Sequence, residues 1–420
     1  MRSQAPGMVL DGRAAIRTIL SNMLLLACVL PLIRPEGLAT ILPTLDTVVY
    51  VYWKYLAILI IILKFILYIV KGSRLSSGSI VLLGFVGLTF LITLSRGLGL
   101  TDWYHTFASC IAIIFLTEVE HNRLDRLLRT ALLCIKILIY INFICMLLYP
   151  NGMYVTISNG YEMNWLLGYK SSFQYYLLPA VCFELLIMSY RRNKVRSYFF
   201  LAICLAETLL SQNAMLLAGL AILYIFFIFR LYKLVRIFNF WFYCIIAVVF
   251  NVLFVTFTQL VLTNNFINYI VVTILHKTLT LSSRASIIWP TTIEYIKKSP
   301  LFGYGVWSGD ERIIMYNNVA GAIHSHNQLL EVLFIGGIAL MSIYVIFHVI
   351  VGRKLSEFRN TIPAQVISAV LFILFTMTTF EIFLRQSGSF IWILYLFGIR
   401  SDELDKQFKS HYRSEPNNFC

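Results

Sequence analysis

Long apolar runs alternate with short polar stretches along these 420 residues. Twelve runs stand out, at about 18–33, 47–70, 78–95, 103–118, 127–149, 171–190, 198–211, 214–230, 240–262, 327–350, 364–380 and 387–400. A run of roughly 17 to 25 apolar residues, coiled as a helix, matches a hydrocarbon layer about 30 Å thick. Backbone in lipid has to satisfy its own hydrogen bonds, and a helix does so within one segment. The pattern therefore predicts an all-α integral membrane protein of about twelve transmembrane helices, with one long external loop between helices 9 and 10. Residues 1–420 read as a single polytopic domain, with no Gly/Ser linker, no low-complexity tract and no internal repeat of the kind that builds a two-halved transporter. Arg13 and Arg17 precede the first run as they would in a secretory leader, but P-L-I-R-P-E-G follows it rather than a small-x-small cleavage pattern, so it is read as a span.

Composition agrees: 59% hydrophobic, 15% aromatic and only 13% charged residues exclude an ordinary soluble domain. The net charge of +14 would suit nucleic acid, but its distribution points elsewhere. Of the 34 Lys and Arg residues, 22 fall in alternate loops on the side that holds the N-terminus, including Arg123, Arg126, Arg129 and the Arg191–Arg196 cluster. The opposite side holds nine, five of them in the long loop. Positive-inside asymmetry then predicts that both termini are cytoplasmic, that the loop at about 263–325 is external, and that no nucleic acid is bound. Seven of the eight cysteines sit in apolar runs and Cys420 is the last residue, so neither a disulfide framework nor a metal-ligand spacing is present.

The polar segments are few. E-V-E-H-N-R-L-D-R-L-L-R, residues 118–129, alternates charge at helical spacing and reads as an interfacial turn with Leu124, Leu127 and Leu128 toward lipid. The stretch from Pro150 to Lys170 carries two Asn-Gly turn dipeptides. In the long loop, Phe266 to Leu275 is apolar enough to dip back onto the membrane. I-I-W-P-T-T-I-E-Y-I (287–296) has helical periodicity with Pro290 in its first turn, and S-P-L-F-G-Y-G (299–305) breaks it.

Ionisable groups near bilayer depth are costly, so the outward helix ends carrying Arg34, Arg96, Lys170, Arg284, His324, His326, Glu331, Glu381 and Arg385 are candidates for function. Arginine suits a phosphate-bearing ligand, because its planar fork pairs two phosphate oxygens. Taken singly, Arg34, Arg96 and Arg385 read more simply as arginines snorkelling to headgroups. His326 and Asn327 read as an interfacial cap of the tenth helix, Gly303 and Gly305 as a turn, and Trp289 as an interface anchor.

Their order and spacing say more. R-x4-W-x10-P-x2-G-x-G, followed by H-N-x3-E at the start of a span, resembles the signature of the O-antigen ligase and polymerase superfamily, integral-membrane glycosyltransferases that handle undecaprenyl-diphosphate-linked glycans. The resemblance covers about 55 residues and rests on Arg284, Trp289, Pro300, Gly303, Gly305, His326, Asn327, Glu331 and Gly337. It implies a GT-C-like fold, a bacterial cytoplasmic-membrane location and contact of Arg284 with the diphosphate of the donor. It also implies His326 as the catalytic histidine, with His324 as a neighbour able to stand in, and Asn327 and Glu331 as supporting partners in substrate binding; Gly303, Gly305, Arg34, Arg96, Lys170 and Arg385 complete the candidate substrate-binding set. Imidazole is the usual general base near neutral pH, a departing diphosphate needs fixed donors, and no metal or other cofactor is expected. Many members carry an arginine in an S-R-G-type turn before the eighth span. Here Ser211, Gln212 and Asn213 occupy that turn without a charge, so either another cation, such as Lys170, Arg96 or Arg385, completes the clamp or the arrangement differs in this subgroup.

The resemblance implies a polysaccharide polymerase that moves a growing glycan from undecaprenyl diphosphate to a lipid-linked repeat unit, for capsule, exopolysaccharide or O-antigen. Its expected partners are the lipid-linked glycan, membrane lipid and other polysaccharide-assembly proteins. A ligase working on another acceptor is the alternative. A flippase would line its spans with charge, whereas the mid-span charges here are mainly Lys64 and Lys136.

Overall fold

The computed structural model describes residues 12–156, 163–230, 240–263, 284–319, 321–384 and 387–413. The apolar piece from Phe266 to Leu275, Arg385 and the Asn159-Gly160 turn lie outside the described residues. In chain order the main helices are α1 (Gly12–Val29), α2 (Pro43–Val70, with a wide π-type stretch at Thr47–Trp53), α3 (Ser77–Ser95), α4 (Leu100–Val119), α5 (Leu124–Leu148), α6 (Gln174–Tyr190), α7 (Val195–Leu210) and α8 (Ala214–Ile228). They continue as α9 (Phe240–Thr263), α10 (Trp289–Lys298), α11 (Gly309–Met315), α12 (Gln328–Glu357), α13 (Ile362–Met377), α14 (Trp392–Ile399) and α15 (Ser401–Arg413).

Each of the twelve apolar runs lies on helix. Five helical stretches are long and apolar enough to cross a membrane: Pro43–Val70, Ser77–Ser95, His121–Leu148, Lys170–Tyr190 and Gln328–Glu357. Shorter apolar helices accompany them, and the chain is an all-α multi-pass membrane protein. Its one described sheet is small, with β1 (Tyr154–Val155), β2 (Met163–Trp165) and β3 (Gly168–Tyr169) pairing antiparallel in that order.

Burial separates inner from outer helices. The apolar window of Lys170–Tyr190 is 94% buried, whereas that of Pro43–Val70 is 17% buried and turns Leu56, Leu59, Leu63 and Leu67 outward. An apolar helix buried on every side belongs to the centre, and an exposed leucine stripe belongs against acyl chains. Helices α5, α7 and α13 pack around α6, while α4 and α1 pack against α2.

Helix starts follow the polar punctuation. Ser76, Asn213 and Thr361 each accept a hydrogen bond from a backbone N–H in the first turn of α3, α8 and α13. Pro290 sits in the first turn of α10, where its missing N–H is not needed. One expectation is overturned: Leu124, Leu127 and Leu128 do not face lipid. All three have 0% exposure, because α5 packs there against α1 and against the amphipathic α15, whose Gln407 bonds the Asp125 N–H and the His121 carbonyl.

The segment 299–305 does more than break a helix. α12 is itself broken at Gly337 (φ 60°, ψ −156°), and the loop lies in the break. Tyr304 and Gly305 donate their N–H groups to the carbonyls of Phe334 and Ile335 at 2.9 and 2.8 Å, and Ile338 and Ala339 donate to Pro300 and Leu301 at 2.8 and 3.1 Å. Backbone groups orphaned by the kink are thereby satisfied, which matters where water is scarce. The approach requires glycine: a Cβ on Gly303 would lie 2.4 Å from the Phe334 oxygen, and one on Gly337 2.4 Å from the Leu301 carbonyl carbon.

Candidate functional site

The site grows from the turn that starts α12. Asn327 caps the helix, its side-chain oxygen accepting from Leu329 and Leu330 N–H at 3.1 Å each. Its amide nitrogen donates to Asn251 Oδ1 of α9 at 3.1 Å and to the Thr379 carbonyl at 3.3 Å. Next door, the Gln328 N–H donates to the Thr378 carbonyl and the Gln328 side chain accepts from Phe383 N–H. The start of α12 is thus sewn to the segment that follows α13.

Glu331 holds the turn from the other side. It pairs with the guanidinium of Arg312, which is 2% exposed and lies 3.5 Å from the Phe334 ring centroid, and its second oxygen accepts from Ser325 N–H at 2.9 Å. Ser325 Oγ in turn donates to the Asn327 carbonyl. Trp289, 1% exposed, ties α10 to the same turn through its indole N–H and the Ser325 carbonyl, 3.0 Å apart. Thr292 of α10 meets the Tyr316 hydroxyl at 2.9 Å, and burial pushes that phenol up to about 12.

Between Ser325 and Asn327, both clamped, stands His326 with φ +51°, a left-handed conformation that costs a non-glycine residue about 1–2 kcal/mol. Its ring lies 4.0 Å, centroid to centroid, from that of His324. The His326 N–H donates to His324 Nδ1 at 3.2 Å, so that nitrogen is an acceptor and a neutral His324 carries its proton on Nε2. Donor atoms of His324, His326 and Glu381 all lie within 4.8 Å of one another.

Arg284 completes the group. It opens the π-type turn Arg284–Ile288 ahead of α10, donates Nη1 to the Phe380 carbonyl at 3.0 Å and stands 3.8 Å from Glu381. Its side chain is 25% exposed, and of its five N–H donors one is hydrogen-bonded among the described residues. Two imidazoles, a carboxylate and an incompletely engaged guanidinium thus converge where residues 324–326 meet residues 380–381. The three donors of His324, His326 and Glu381 are of the kind that bind a divalent cation, yet Arg284 already supplies Glu381 with counter-charge, which works against a second cation there.

The other candidates lie in separate settings. Arg34 forms a two-pronged pair with Asp46 at 2.8 and 2.6 Å. Arg96 donates to Ser299 Oγ and to the Gly303 carbonyl, and lies over the Tyr304 ring; with Gly303 and Gly305 it belongs to the loop docked on α12. The Lys170 carbonyl accepts from Asn213, in the same turn as Gln212 at φ +54°. Adjacent tyrosines of α6 link these parts: Tyr175 donates to the Ile382 carbonyl, beside Glu381, and Tyr176 to the Arg34 carbonyl. Arg312, Tyr316 and Thr379 had no sequence signal as site residues. Asn251 had one, as an amide within a largely apolar run.

Fold and site together define a class: a polytopic helical membrane protein with a cationic and imidazole-bearing site where a broken helix meets a long loop. Residues 197–345 match the family model described as O-antigen ligase, a span that contains Arg284, His324, His326 and Glu331. That match, over about a third of the chain, supports the resemblance to the O-antigen ligase/polymerase superfamily. That family points to a membrane glycosyltransferase-like enzyme acting on lipid-linked glycans. No curated protein matches the sequence.

Proposed function

We propose that this protein is a polysaccharide polymerase, moving a growing glycan from undecaprenyl diphosphate onto a sugar hydroxyl of a lipid-linked repeat unit. The observation that carries the reading is the convergence of Arg284, with donors to spare, on the His324–His326–Glu381 cluster. The hydroxyl oxygen attacks the anomeric carbon, the bond from that carbon to the diphosphate oxygen breaks, and the diphosphate leaves with the electron pair. The hydroxyl proton passes to His326. His326 is preferred to His324 because His324 Nδ1 is occupied by a backbone N–H. Arg284 stabilises the charge that develops on the leaving diphosphate, a role for which fixed donors in a place of low water content are effective. Glu381 orients Arg284 and the histidine pair.

Asn327 and Glu331 act as positioning residues, since their polar atoms hold the His326 turn. Lys170, whose backbone carbonyl accepts from Asn213, is taken as the cation that stands in for the arginine the resemblance expects in the turn of Ser211, Gln212 and Asn213. The proposal includes twelve spans in a GT-C-like arrangement, cytoplasmic termini in a bacterial inner membrane, an external site, and no need for a metal.

Polymerisation of purified lipid-linked repeat units by the purified protein tests the reading. Chains longer than one repeat on undecaprenyl diphosphate support it. Single transfer only to an added non-identical acceptor would replace it with a ligase activity.

A further inference from the structure

At the opposite end of the bundle two stripes of residues face each other. Thr18, Asn22 and Leu26 recur every four residues on α1, and Arg123, Arg126 and Arg129 recur every three at the start of α5, spacings that keep each set on one helix face. The two helices pack together, and between the stripes lies a groove of about 550 Å³. Its volume is in the range of small-ligand sites.

The groove has two chemistries. One end holds the three guanidinium groups. The other is walled by Met23, Leu26 and Leu133, of which Met23 and Leu133 are 61% and 50% exposed. Arg126 is fixed in place, donating to Ser21 Oγ at 2.7 Å and pairing with Glu120. Arg129 pairs with Asp125, and Arg123 is exposed with no ion pair among the described residues. Two carboxylates against three guanidiniums leave the groove with a net positive charge. A cationic rim continuous with an exposed apolar wall complements an amphiphile whose phosphate sits at the rim and whose chain lies along the wall.

We infer that this groove binds an anionic glycerophospholipid, its phosphate held by Arg123 and Arg129 and an acyl chain lying along Met23 and Leu133. None of these residues belongs to the candidate glycosyl-transfer site, so the inference stands or falls independently of the proposed reaction.

The test uses the full chain in nanodiscs of phosphatidylcholine with and without phosphatidylglycerol, read by native mass spectrometry for retained lipid. Wild type is expected to retain phosphatidylglycerol in preference to phosphatidylcholine, and the Arg123→Gln/Arg129→Gln variant to lose about tenfold of that preference, the effect of one charge-assisted hydrogen bond. Leu133→Trp keeps every charge but fills the apolar wall, and is expected to weaken retention as well, which guards against a double variant that fails to fold. Equal retention of both lipids by wild type, undiminished preference in the variants, or soluble glycerol phosphate bound as tightly as the lipid would overturn the inference. Occlusion of the groove by a second copy through α1 and α5 would overturn it too.

Discussion

The two polar ends of the bundle use charge in different ways. At the end formed by α3, α4, α14 and α15, charges close on each other: Glu118 accepts from Ser76 Oγ, Ser79 Oγ and Arg400, Asp405 takes both Tyr190 and Lys409, and Glu120 takes Arg126. At the other end Arg284 meets its carboxylate only at 3.8 Å and spends one donor on a backbone carbonyl, beside two histidines in contact. Burying an ion without matching it is expensive, so the buried network around Glu118 and Asp405, which holds helices together, saturates its charges. Under the proposed mechanism, the incompletely matched end, with a strained His326 at its centre, accepts charge from the ligand.

The strongest attack on this contrast is His326→Ala. Under the proposed mechanism it removes the base and lowers glycosyl transfer by about 10²–10⁴-fold, with normal membrane insertion; full-length polymer from this variant, made with His324 intact, would end the assignment. Arg284→Lys comes next, expected to cost about tenfold or more in rate, because a point charge does not reproduce the planar fork. Its thermal stability should stay near wild type, and wild-type rates in Arg284→Ala would remove the diphosphate clamp.

Arg312→Ala sharpens the distinction within the same end. It strands buried Glu331, so about 3–5 kcal/mol of stability should go, measured as a lowered midpoint of unfolding that Arg284→Ala does not show. Glu118→Gln probes the saturated end and should lower stability while leaving activity per folded molecule unchanged; a selective loss of catalysis would blur the contrast. The smallest effect is expected from chelators: removal of divalent cations should leave transfer intact, and restoration of a lost activity by zinc would reassign His324, His326 and Glu381 as ligands.

Much of this was legible along the chain. The apolar runs marked the helices because 3.6-residue coiling is the local answer to a backbone in lipid. The spacing from Arg284 to Glu331 marked the region of the candidate site, since motif order survives without contacts being known. Partners across long separations were not legible: Arg312 and Glu331 lie on different helices, and nothing near either residue announces the other. Leu124, Leu127 and Leu128 looked lipid-facing because a charged amphipathic turn has the same pattern whether lipid or another helix covers it, and here α15 does.

Sequence alone determined a helical membrane protein with a polar loop, and the residue types for phosphate and proton chemistry within it, because hydropathy and side-chain chemistry are local properties. Only the tertiary structure decided which of them meet. It brought Glu381 from beyond α13 to the histidines, closed Arg34 on Asp46, and drew Arg96 and the glycine loop into the break in α12. The physical reason is that each pairing depends on distance between elements far apart in the chain, set by helix packing and by the demand that buried backbone and charge find partners.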